Sequence, residues 1–132
     1  LAGVLDLNTG RFSYANGGHE LPIVVPAIGG EARTVPGGGP LLGMFGQLGV
    51  ELQEILLEPG DALVLYTDGV TDARAAGGER FGEARFLAAL SRRAGGGGPA
   101  PCRDVVDEVF AFQGDAEPAD DIALLVLRRL PA

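Results

Sequence analysis

The stretch Tyr66-Thr67-Asp68-Gly69-Val70-Thr71-Asp72 holds the residues of this chain best suited to chemistry. A carboxylate emerges at the end of an apolar run and is followed at once by glycine. Hard cations such as Mg²⁺ and Mn²⁺ take oxygen ligands, often one or two carboxylates completed by water. Asp68 on a strand tip is held by a rigid element, and Gly69 lets the chain turn close to an ion. The same Asp-Gly pair is also the commonest hairpin-turn dipeptide, so a plain turn stands beside the metal reading. Asp120-Asp121, directly before the last apolar run, offers a second pair of carboxylates. Adjacent carboxylates repel unless a cation or basic group lies near. The pair is either a solvated loop or, with Asp68, a metal site split between two strand ends.

Asn16-Gly17-Gly18-His19-Glu20 contains the only histidine. His19 therefore belongs to no multi-histidine site; it is a single ligand, a donor facing a phosphate, or a residue of a glycine turn. Cys102, the one cysteine, excludes an internal disulfide framework and a cysteine-built zinc site. It stands at a helix start, where the dipole can lower a thiol pKa, but nothing else marks it as reactive. No serine or cysteine nucleophile pairs with a base, and a chain without lysine has no Walker-type phosphate loop.

These residues need elements to position them. Residues 2–16 read as a β-hairpin turning at Asn8-Thr9-Gly10, with glycine where positive φ is wanted. Leu21 to Val25 starts another strand. Pro26 to Gly49 is dominated by glycine and proline and reads as one long surface loop. Val50 to Leu57 is a strand, Glu58-Pro59-Gly60-Asp61 a turn, and Ala62 to Tyr66 a strand buried on both faces. Phe81 to Arg93 forms a helix with Phe86, Leu87 and Leu90 on one stripe, ending before Gly95 to Gly98. Pro101 opens a second helix with Val105, Val106, Val109 and Phe110 on one face and Gly114 beyond its end. Ile122 to Leu127 is another continuous apolar strand. The sum is an α+β fold, with the helices late in the chain.

Composition bounds the function further. The 132 residues suit one domain, with 46% hydrophobic residues, 22 glycines, 9 prolines and a net charge of −8. That charge argues against a nucleic-acid surface, which needs clustered cations. No apolar run reaches the ~18 residues of a membrane span, and the lone cysteine fits a reducing cytoplasm. The chain opens without Met on a strand-like segment, as a piece cut from a longer protein does.

The chain resembles the C-terminal portion of bacterial PP2C-type serine/threonine phosphatase domains of the sporulation-stage-II E and sigma-regulator type. The matching blocks are Leu5-Asp6 to Gly10, Tyr14 to His19, Gly39 to Gly43, Leu57 to Asp61, Leu65 to Asp72, Phe81-Gly82 and Asp120 to Val126. Three positions depart from the pattern: Gly18 is commonly Ala, Asp72 commonly Glu, and Ala123 commonly Thr. The resemblance implies an α/β/β/α sandwich lacking the N-terminal part of its domain, with residues 1–132 as one unit. It implies two or more Mn²⁺ or Mg²⁺ ions at one edge and a water that attacks phosphorus directly.

By motif position, Asp68 and Asp120 carry over as catalytic metal ligands, Gly69 as the turn beside the ion, and Asp121 as their support or a weaker ligand. Asp72 and His19 fall where relatives surround an additional, weaker metal. The implied substrate is a phosphoserine or phosphothreonine of an anti-sigma-factor antagonist, and the implied neighbour in the chain is a sensor or receiver domain. The ligands of the family's first half are absent, so little activity is expected from these 132 residues alone, and a homodimer would cover exposed edges. Two rivals stand beside this reading: a catalytically silent regulatory domain of the same fold, and a β-rich binding module whose Asp-Gly turns are only turns.

Overall fold

The computed structural model describes residues 1–28, 30–44, 46, 49–94, 102–118 and 120–130. Seven strands and two helices follow in chain order: β1 (Ala2–Leu5), β2 (Arg11–Ala15), β3 (Ile23–Val25), β4 (Arg33–Thr34), β5 (Leu52–Leu56), β6 (Ala62–Tyr66), α1 (Gly82–Ala94), α2 (Cys102–Gln113) and β7 (Leu124–Arg128). They form two antiparallel sheets, ordered β1-β2-β5 and β4-β3-β6-β7.

The expected hairpin joins β1 to β2, with Ala2 opposite Ala15 and Leu5 opposite Phe12. Gly10 turns it at φ 80°, a conformation that costs a side chain but not glycine. The Asp6 carboxylate accepts the Asn8 amide at 2.9 Å and the Thr9 amide at 3.3 Å. Those bonds to the ionised form, the Asn8 bond foremost, hold the Asp6 carboxyl below the usual carboxylate range.

Side chains alternate along strands, so β3 and β6 feed two cores. Ile23, Val25, Ala62, Val64 and Tyr66 face α1 and α2, meeting Phe86, Leu90, Val105 and Val109. Val24 and Leu63 face the other way, onto Phe12, Tyr14, Val35 and Leu57. The result is helices on sheet on sheet. Among the described residues no helix covers the outer face of β1-β2-β5, where Val4, Leu52 and Leu56 stand exposed. Three of the four expected layers are thus present here.

Three sequence expectations need correction. The 26–49 segment is not wholly loop: β4 pairs with β3, Ile23 opposite Thr34, and the Val35 amide donates to the Pro22 carbonyl at 2.9 Å. Phe110 does not lie on the buried face of α2 but is 49% exposed; Gln113, at 4%, takes that place. The contact stripe steps by four through Val105, Val109 and Gln113, and Phe110 lies one position round from it. Phe112 instead packs edge-on to Phe81 at 5.4 Å, under the Arg85 guanidinium. Third, the last strand runs from Leu124 to Arg128 rather than from Ile122 to Leu127, and it is only half-buried, with Leu125 54% exposed, because it ends its sheet. Pro101 and Gly95 to Gly98 lie outside the described residues. No described helix is long and apolar enough to cross a membrane.

Candidate metal-binding edge

β6 delivers Thr67 and Asp68 to the end of the four-stranded sheet. The Thr67 amide donates to the Ala123 carbonyl at 3.0 Å. Its hydroxyl donates to the Asp121 carbonyl at 2.9 Å and accepts the Ala123 amide at 2.9 Å. Thr67 therefore ties the segment before β7 to the tip of β6 by three hydrogen bonds. Sequence reasoning passed over this residue. The signal was a hydroxyl beside the aspartate at the tip of a buried strand.

Gly69 completes the join. A Cβ built on it would lie 2.4 Å from the Asp121 carbonyl oxygen and 2.9 Å from its carbon. Glycine is required here by close backbone approach. The next residues make a single helical turn: the Val70 amide donates to the Thr67 carbonyl at 3.1 Å and the Asp72 amide to the Asp68 carbonyl at 2.7 Å. The Thr71 hydroxyl adds a bond to the same Asp68 carbonyl. The two bonds to Asp68 use its backbone carbonyl and leave its carboxylate exposed.

The structure thus brings Asp68 and Gly69 beside Asp120-Asp121 at one edge. All three of those carboxylate residues are exposed. The Asp121 amide donates to Asp120 Oδ1 at 2.7 Å. Among the described residues none of the three enters an ion pair. His19 reaches the same edge from the other sheet's side: it lines a cleft with Gly18, Glu20, Tyr66, Thr67 and Asp68. Buried Asn16 fixes its turn, accepting the His19 amide and donating to the His19 carbonyl, both at 2.8 Å. His19 Nδ1 lies 3.0 Å from the Glu20 carbonyl. Asp72 is drawn elsewhere, with Oδ2 3.0 Å from an Arg80 guanidinium nitrogen. Among the described residues no three His, Cys, Asp or Glu side chains enclose an ion by themselves. Cys102 is a free thiol at the start of α2.

Tyr66 lines both this cleft and an adjoining one, of about 240 Å³, shared with Glu20, Thr71, Asp72, Arg80 and Glu83. Burial, with the charges of Glu20 and Glu83, pushes its phenol up to about 12. Burial raises Tyr14 as well. These are the chain's two tyrosines. Phenolate absorbance of the folded chain should therefore rise at higher pH than that of the chain in denaturant, which titrates near 10. Both folded values lie above the unfolded one, so their contribution to stability is full below the unfolded pKa and is lost as pH rises through the folded values, about 12 for Tyr66. A half-titration near 10 in the folded state would contradict this.

The family model for Stage II sporulation protein E (SpoIIE) matches residues 1–130. Protein IcfG of Synechocystis is 37% identical over 89 residues, which are 67% of this chain and 14% of that protein. The RsbU and RsbW domains of Rv1364c from Mycobacterium tuberculosis share the fold at TM-score 0.71 and 29% identity, over 98% of this chain and 36% of theirs. The SiaA PP2C domain of Pseudomonas aeruginosa does so at TM-score 0.76 and 24% identity, over 91% of this chain and 47% of that one. The chain spans less than half the length of each of these relatives. With the two-sheet architecture and the match across nearly every residue, the chain belongs to the SpoIIE family and carries the fold of its PP2C phosphatase domains.

Proposed function

We propose that this chain supplies part of the active edge of a metal-dependent protein phosphatase. Its substrate class is a phosphoserine or phosphothreonine on a regulatory protein of the anti-sigma-factor-antagonist type. The observation that carries the reading is the seating of Gly69 on the Asp121 backbone, which holds Asp68 and Asp120 at one edge. The donors fit a hard divalent cation: they are exposed carboxylates on backbone segments that Gly69 brings together, and free of ion pairs among the described residues. Bound Mn²⁺ or Mg²⁺ would supply positive charge and lower the pKa of a coordinated water.

The rest is done by the chain itself. Asp68 and Asp120 would hold the ions, each from the end of a strand. Asp121, against which Gly69 is seated, fixes the spacing of the two segments, and Thr67 locks it. His19, on the cleft wall, presents a ring to whatever enters beside Asp68. A chain of net charge −8 repels a phosphate dianion, so substrate attraction must come from cations at this edge.

The test uses the full-length protein and a phosphoseryl peptide. Phosphate release is expected with Mn²⁺ and none in excess chelator. Release that survives the chelator, or none under either condition, overturns the reading; the latter would favour a silent regulatory domain of the same fold.

A further inference from the structure

Between Asp68 and α1 the chain makes a tight hairpin. Arg74 and Arg80 bridge across it, the Ala75 amide donates to the Glu79 carbonyl at 2.9 Å, and the Phe81 amide to the Ala73 carbonyl at 2.8 Å. The Gly82 amide closes it on the Thr71 carbonyl at 2.9 Å. This fold-back lays the Arg80 guanidinium on Asp72. Asp72 is itself one helical turn beyond Asp68, and residues so spaced share a face. A fourth carboxylate thus stands one turn from Asp68, and a cation of the chain's own already sits on it.

We propose that Arg80 is a built-in counter-ion that controls whether Asp72 serves a divalent cation at the Asp68 edge. The inference rests on the metal reading of that edge. Both partners are partly exposed, the side chains 56% and 39% accessible, so the pair is weak and easily exchanged. Exposed pairs of this kind shift an equilibrium by about five-fold at most. The neighbouring wall adds two further acids, Glu20 and Glu83, so a divalent ion that displaces Arg80 enters a negative cleft. Arg80 is thus a positioning residue: it sets where the Asp72 carboxylate points and whether it is neutralised.

The test is calorimetric Mn²⁺ titration of the full-length protein, in a double-mutant cycle. Arg80→Gln and Arg80→Ala are each expected to bind Mn²⁺ about five-fold more tightly than the natural protein, and Arg80→Lys to bind like it. In an Asp72→Asn background the gain from Arg80→Gln should vanish. An equal gain in both backgrounds would mean a diffuse charge effect and overturns the proposal, as does an unchanged isotherm in both neutral variants. Asp68→Asn separates the two ideas: loss of Mn²⁺ uptake there, with no effect at Arg80, leaves the metal edge standing and removes only the counter-ion. Absence of uptake in every protein overturns both.

Discussion

Asp68→Asn in the full-length protein is expected to cut Mn²⁺-dependent phosphopeptide hydrolysis by about a hundredfold or more, since even residues that only orient a ligand cost up to that. Its metal-free melting temperature should hardly move. The asymmetry follows from what Asp68 does in the fold. Its backbone carbonyl accepts the Asp72 amide and the Thr71 hydroxyl, and asparagine keeps both bonds. Its carboxylate is exposed and carries no part of the packing, and exposed substitutions away from special features usually change stability by less than about 0.5 kcal/mol. Initial rates across an Mn²⁺ series, beside thermal melts in chelator, measure the two effects separately. Hydrolysis equal to the natural protein would remove Asp68 from the site.

Gly69→Ala is expected to do the reverse, damaging the fold and the edge together. The added methyl would sit 2.4 Å from the Asp121 carbonyl oxygen, where only backbone movement relieves it. Overpacking of this kind costs roughly 1–3 kcal/mol. The movement must separate the 67–69 tip from residues 120–121, straining the Thr67 bonds to Asp121 and Ala123. Calorimetric melting should show a lowered transition, and Mn²⁺ titration a weakened isotherm, even though no carboxylate has been changed. If both stay as in the natural protein, the Gly69 contact is not what holds the edge together.

The parts of this fold that sequence reasoning reached are those written in local patterns. The β1–β2 hairpin follows from Gly10, and β6 follows from five apolar residues between turn signals. What it missed depended on partners far along the chain. β4 is two residues long, too short for alternation to register, and exists because β3 offers it a ladder. Phe110 was drawn to the core by its apolarity, but helix phase assigned that place to Gln113. β7 reads only as one more apolar strand, since nothing local marks a strand as the last in its sheet.

The candidate site divides in the same way. Acidic residues at strand ends can be read directly, so Asp68, Asp120 and Asp121 stood out, and the structure places them together. Thr67 could not be singled out, because a hydroxyl becomes a tether only when Asp121 is beside it. The Arg80 pairing with Asp72 was equally hidden, because it needs the hairpin between Arg74 and Arg80.

The Thr67–Asp121 tether spans 54 residues of sequence, and that separation sets the order in which the edge can be built. Closing so long a loop costs entropy before any contact repays it. The helical turn from Asp68 to Asp72 can form early because it is local, but alone it offers only neighbouring carboxylates on a mobile turn. The facing pair arrives when β7 docks on β6 across five residue pairs. A cation that needs both segments is therefore a ligand of the finished chain and not of its intermediates. By mass action it deepens the native basin alone, so added metal should slow unfolding more than it speeds folding.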